Sequence, residues 1–408
     1  MNLDRSPRFA FVLRVPRLHP FSSVRENSSA RLYSKNLLTM HSCQHQAVSR
    51  SSAAERHVSE QRASMDIFTP VVPEEEFHPN FKAILLDELV EKRAELSRWA
   101  DGFPDRDGKF VREFQTTFNS CFWEIYLFAT LKEYGCSFDW SQQSPDFTIN
   151  KDGGHFSVEA VTANSAQGKP SEWMRTAETF KTKPDLNALN REAIIRLSNA
   201  VHSKAKRYEE HYAKLPHVTR KPFVLAIAPF EQPLFNLQYN RPIKALLYDH
   251  YIDEQEYLEN PSKYPYGPPE KHLGFIEKDN GAEIELGIFN DSRFEEVSAV
   301  LFSCTATWGK IDVMCEGKDS KMIVNSVWGS EPYGAPVRRT GIQAEYSETL
   351  TDGLQVYHNP FAKYPLRPEV FRREGVVQAY FDFDTDTWVE EEVNRSLFWR
   401  QVFNLVPR

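Results

Sequence analysis

Residues 114–162 read FQTTFNSCFWEIYLFATLKEYGCSFDWSQQSPDFTINKDGGHFSVEAVT, and their interpretation decides the fold. The first part has helical spacing. At 100° per residue Phe114, Phe118, Cys121, Phe122, Ile125, Phe128 and Ala129 fall within one arc, wide enough for a largely buried helix. Glu124 lies just outside that arc. A half-buried carboxylate needs a partner, because leaving its charge unpaired is costly. A metal, a backbone amide or a nearby loop would serve. The second part alternates. Phe147 and Ile149 in DFTIN, and Phe156 and Val158 in HFSVEAV, predict two strands, with a tight turn at Lys151-Asp152-Gly153-Gly154. The Gly-Gly pair supplies the positive φ such a turn requires. Pairing these strands brings Asp146 and Glu159 together near their turn-distal ends, where a hard cation needs two carboxylates.

A helix carrying Glu124, then Pro145-Asp146, a hairpin and Glu159 is an order that resembles the PD-(D/E)XK nuclease superfamily. The resemblance covers roughly residues 110–230. It implies an α/β fold: a restriction-endonuclease-like mixed sheet flanked by helices, with insertions and a C-terminal α+β extension. It implies that Asp146 and Glu159 bind Mg or Mn, assisted by Glu124 and the Ala160 carbonyl, and that the substrate is nucleic acid. It departs from the family in one place. A lysine usually follows the second acid by two residues, but here Glu159-Ala160-Val161 puts valine there.

Another cation must replace that lysine if the chain cuts phosphodiesters. Lys169, Lys204 and Lys206 are candidates. On the helix predicted from about Leu186 to Leu215, Lys204 points about 80° from the buried face centred on Ile194, and Lys206 about 120° away on the other side. Lys204 is therefore the expected catalytic lysine, its stem lying along the sheet. Between Lys169 and Lys221 there are twelve Lys/Arg against six Asp/Glu. This local excess makes Lys169, Arg175, Lys206 and Arg207 candidate phosphate contacts. A solvated helix face is the plain alternative. The second functional class is a catalytically inactive nuclease-like module that binds nucleic acid or a protein partner.

The 408 residues carry a net charge of −8, which argues against a generic nucleic-acid coat. Five cysteines without a CxxC pair read as reduced thiols, and hence a cytoplasmic location. No apolar run approaches the length of a membrane span. Segment 1–64 holds ten Lys/Arg and four Asp/Glu without periodicity. It reads as a disordered extension, a transit-type segment, or a stretch upstream of an initiator at Met65. Residues 65–230 are read as the nuclease-like core, with GCSFDW as a first strand and PFVLAIAPF as a doubly covered one. Residues 231–334 are read as inserted or sheet-extending hairpins, with Asn280-Gly281 in one turn. Residues 335–408 are the C-terminal extension, with VVQAYFDFDTDTWVEEEV an edge strand. His358 is a candidate cover for the cleft, or a structural histidine. Because 1–64 lacks apolar periodicity, a chain beginning at Met65 is expected to melt at the temperature of the full chain. A drop of more than a few degrees in a thermal melt would show that the segment packs on the rest.

Overall fold

The central strand decides the architecture, because PFVLAIAPF has no polar face to offer water. In the computed structural model its Phe223–Ala228 portion is buried at all six positions and pairs in parallel on both sides. The structure describes residues 65–166, 168–174, 183–317, 321–330 and 335–404. The reading of 1–64 and the candidate Arg175 lie outside these.

The helices relevant here are α1 (Pro79–Ile84), α2 (Val90–Ala100), α3 (Phe110–Thr116) and α4 (Asn119–Glu133). The strands β1 (Ser137–Phe138), β2 (Phe147–Lys151) and β3 (Gly154–Thr162) follow, then α5 (Leu186–Glu210), β4 (Phe223–Ala228) and α6 (Arg241–Tyr248). Beyond these come β5 (Ala299–Phe302), α7 (Trp308–Met314), β6 (Met322–Trp328), β7 (Val337–Ile342), β8 (Gln355–His358), β9 (Val377–Asp382), β10 (Thr387–Glu391) and β11 (Leu397–Asn404). The main sheet has eight strands in the order β1-β2-β3-β4-β5-β8-β9-β10. It is mixed: β3, β4 and β5 are mutually parallel, as are β8 and β9, and the other pairs are antiparallel. A second sheet has the order β7-β6-β11.

Helices flank both faces. Phe223 shares a sheet face with Ser157 and Glu159, and its ring meets Tyr208 of α5 and Tyr212 just beyond it. The opposite face carries Phe147 and Val158. Phe147 packs through Phe103 onto Phe128 of α4. Helix α4 is buried almost all round, so it packs on neighbours at every turn. Its Trp123 Nε1–H donates to the Ala226 carbonyl of β4 at 3.0 Å.

Several readings change. Residues 114–133 do not form one helix: Phe118, at φ 47° and ψ −65°, separates α3 from α4. A bulky residue rarely takes that conformation, and periodicity alone does not register it. The hairpin turn is Asp152-Gly153, with φ 49° and 75°, and Gly154 already pairs with Lys151. Asp-Gly, not Gly-Gly, is the positive-φ pair. The stretch 297–315 supplies one strand, β5, and then turns into helix α7, because short apolar runs fit either period. Asn280-Gly281 does join a small hairpin, Phe275–Glu277 with Glu283–Glu285. The Asp382–Asp386 run is the turn of the β9–β10 hairpin, not part of one edge strand. Segments 231–334 and 335–408 contribute β5, and β8 to β10, to the main sheet, and residues 63–408 cluster as one compact unit. His358 is buried in β8, bonded to Gln378 of β9. No helix among the described residues is long and apolar enough to cross a membrane.

Nothing lies within 4 Å of a Cβ built on Gly153, so the only demand at that position is its φ of +75°. Replacing Gly153 by Val should therefore cost about 1–2 kcal/mol of stability through the left-handed backbone alone. Urea unfolding of the two proteins measures it, and an unchanged midpoint would show that the turn does not hold the register.

Candidate active site

Strand register brings the two acids together. Phe147 stands opposite Val158, so Asp146 sits beside Glu159 at the turn-distal end of the hairpin. Asp146 Oδ2 accepts the backbone N–H of Ala160 at 2.7 Å. Glu159 is 2% exposed, and its Oε1 accepts from Lys204 Nζ at 2.7 Å and from the Tyr212 hydroxyl at 3.2 Å. Its other oxygen, Oε2, is buried with no protein partner. Glu124 of α4 reaches the same cleft, a cavity of about 640 Å³ also bordered by Ala160, Val161, Arg207, Trp173 and Glu231. The break at Phe118 is what sets Thr117 and Ser120 on its wall.

The electrostatics are those of crowded acids. Burial first, and then the charge of Glu159, push the Asp146 carboxyl from 3.8 up to about 7, against the Ala160 N–H and Lys204. Burial, and next the charge of Asp146, raise Glu124 well above the usual carboxylate range, with Arg106 opposing. A third acid, Glu231, is raised by burial on the far wall. Like charges held this close, in a site that excludes water on most sides, favour either protons or a cation.

The candidates separate accordingly. Asp146, Glu159, Glu124 and Lys204 converge, and Arg207 joins them with its guanidinium 5.3 Å from the Tyr212 ring centroid. Ala160 lines the cleft. Lys169 pairs with Glu192 at 2.9 Å, and Lys206 is exposed and pairs with Glu210 at 3.7 Å. Neither is among the residues bordering the cleft. Sequence reasoning missed Tyr212, which its spacing placed with the core, and Arg106, which lies in a loop without periodicity. The Arg106 guanidinium bonds the Gln142 carbonyl and sits 5.6 Å from the Trp140 ring. His78 and Trp173, 4.4 Å apart at the cleft's edge, carried no signal in the chain.

The buried Glu159 carboxylate, with its orphan oxygen, and the half-buried Asp146 carboxylate form a hard-oxygen donor set that suits Mg or Mn completed by water and phosphate. Among the described residues no group of three or more His, Cys, Asp and Glu side chains is already arranged to hold a metal ion. No protein-family model, curated protein or solved structure matches the chain.

The pH dependence follows. The folded pKa of Asp146 lies above its ordinary value, so the metal-free native state favours the protonated acid. That contribution is present below about pH 4 and is lost as pH rises through about 7. In chelator, the stability of the Asp146→Asn protein relative to wild type should grow by about 2 kcal/mol between about pH 5 and 8. This is less than full linkage allows, because the carboxyl opens on the cleft. Denaturant melts at each pH check it, and a flat difference would show an ordinary aspartate.

Proposed function

We propose that the chain is a divalent-metal-dependent phosphodiesterase of restriction-endonuclease-like type, acting on nucleic acid. The observation that carries this reading is the pairing of Asp146 with Glu159 on adjacent strands, with Lys204 donating to Glu159. Lys204 brings its ammonium to the second acid from a helix, where the resemblance calls for a lysine at position 161. The order α4-β1-β2-β3-α5-β4, with β4 parallel to β3, supports the same reading.

Asp146 and Glu159 would hold the Mg or Mn, with Glu124 and the Ala160 carbonyl as further oxygen donors. Bound there, the ion supplies Lewis-acid charge and lowers the pKa of its water. The chain's own groups do the rest. Lys204 pairs with Glu159 and sets positive charge on the wall where a phosphate develops negative charge. Tyr212 holds the same oxygen of Glu159 and so orients its partner toward the cleft. Arg207 and Arg106 balance the acids and attract a polyanion to an otherwise acidic chain. One observation favours the second reading, a module that binds nucleic acid or a protein without cutting: Val161 stands in the lysine position.

Full-length protein incubated with single-stranded DNA, duplex DNA and RNA should cleave at least one of them only when Mg or Mn is added. Asp146→Asn should lower the rate about 100-fold or more, and Lys204→Met about 10²–10³-fold, with partial recovery in Lys204→Arg. Thermal melts of each variant separate lost chemistry from lost fold. Wild-type protein that binds an oligonucleotide but leaves it intact at every metal concentration would replace the enzyme with the binding module.

A further inference from the structure

A second cavity, of about 490 Å³, lies beside the acidic cleft and shares the Trp173 wall with it. A hydrogen-bond chain joins the two. Asn80 Nδ2 donates to Asn119 Oδ1, and Asn119 Nδ2 donates to Glu231 Oε1, each at 3.0 Å. The two asparagines border the second cavity and Glu231 borders the cleft.

The lining is aromatic. Phe118, Phe122, Phe230 and Phe235 are buried, while Trp173 and Trp308 are half-exposed. An apolar lining alone would accept any hydrocarbon, but two polar atoms narrow the choice. Arg400 Nε and Asn236 Oδ1 are buried without a protein partner, and both residues border the cavity. The Arg400 side chain is 1% exposed, and its terminal nitrogens are taken by Glu348, the Thr305 carbonyl and Thr307 Oγ1. What remains is a fixed donor, with an acceptor from Asn236 on the same lining. Arg400 is paired with Glu348, which Lys310 shares, and the carboxylates Glu172 and Asp312 border the cavity, so an anion is disfavoured. The complementary ligand is a neutral flat ring with hydrogen-bonding groups on its edge.

We infer that this cavity is a nucleobase pocket, which takes an unstacked base from the strand whose backbone enters the acidic cleft. The second half of that statement rests on the proposed phosphodiesterase. The pocket's capacity to hold a base does not. Aromatic side chains provide the stacking surface that replaces the neighbouring bases, and the Arg400 and Asn236 groups read the ring edge. Entry of a base past Trp173 would also anchor the strand next to Asp146 and Glu159, with no contribution from Lys169 or Lys206.

The test uses the full chain carrying Asp146→Asn, in chelator, titrated by calorimetry with adenosine, guanosine, cytidine and uridine. Ribose 5-phosphate and indole are the comparison probes. At least one nucleoside should bind at millimolar concentration or below, more tightly than either comparison probe. Trp308→Ala should weaken it about fivefold or more. Asn236→Leu should change the order of preference among the four bases. No nucleoside binding at millimolar concentration, indole binding as tightly as the best nucleoside, or binding indifferent to both substitutions would each overturn the pocket. The nucleoside-over-indole comparison needs no cavity variant, so it decides even if Trp308→Ala fails to fold. If nucleosides bind as expected while the wild-type chain cuts nothing, the pocket stands and only cleavage falls. If the chain cuts but nucleosides do not bind, the pocket alone is wrong.

Discussion

The contact between Lys204 and Glu159 constrains much of the molecule. Glu159 lies in the middle of a sheet face, and a lone carboxylate there would cost several kcal/mol. Its charge is tolerable only if a cation arrives from the covering helix at the right height. That requires α5 to pack on β3 and β4 through Leu197, Val201, Ala205 and Tyr208, which are all buried. Tyr208 and Tyr212 then close against Phe223. Core packing on this face and charge balance at the cleft are thus one requirement. A shift of α5 by a single turn would move Lys204 by about 5 Å and strand the acid.

A second buried ionic group shows what a purely structural solution looks like. Lys310, Glu348 and Arg400 have side chains 0%, 0% and 1% exposed. Lys310 Nζ is fully used by Glu348 and the carbonyls of Thr349 and Asp352. Its neighbours hold the Glu348 carboxyl below the ordinary range despite complete burial. The network ties α7, the segment before β8 and β11 together, with the one Glu348 carboxylate shared by two cations. The cleft is the reverse. Its acids exceed its nearest cations, three of them are raised, and one oxygen is left without a partner. A satisfied buried network secures a fold, whereas an unsatisfied acidic one costs stability and is a place where a ligand would have differential effect. Arg400 takes part in both kinds of arrangement. Two of its nitrogens serve the network, and the third is buried without a protein partner in a residue that borders the aromatic cavity.

The sequence by itself determined the local elements and their chemical load. Alternation in DFTIN and HFSVEAV, with a turn between them, is enough to place Asp146 beside Glu159, because strand period is two and a slip of one residue would reverse every side chain. Helix period is equally strict over the long α5, so the arithmetic that chose Lys204 over Lys206 survives in the structure. The uniform apolar run at 223–228 has the length and composition of a strand covered on both faces.

Only the tertiary structure decided the rest. The C-terminal strands β8 to β10 complete the sheet through partners far away in sequence, and a short apolar run does not encode which strand it will meet. Phe118 takes a backbone conformation that its own propensity opposes, and surrounding packing imposes it. His78, Trp173 and Tyr212 reach the cleft from loops or from a helix end, where no periodicity directs a side chain, and Arg106 acts on its acids by charge from outside the lining. The aromatic cavity is assembled from α1, α4, the segments at 172–173 and 230–236, α7 and β11. Its existence depends on how separate surfaces meet, a long-range outcome that no local pattern carries.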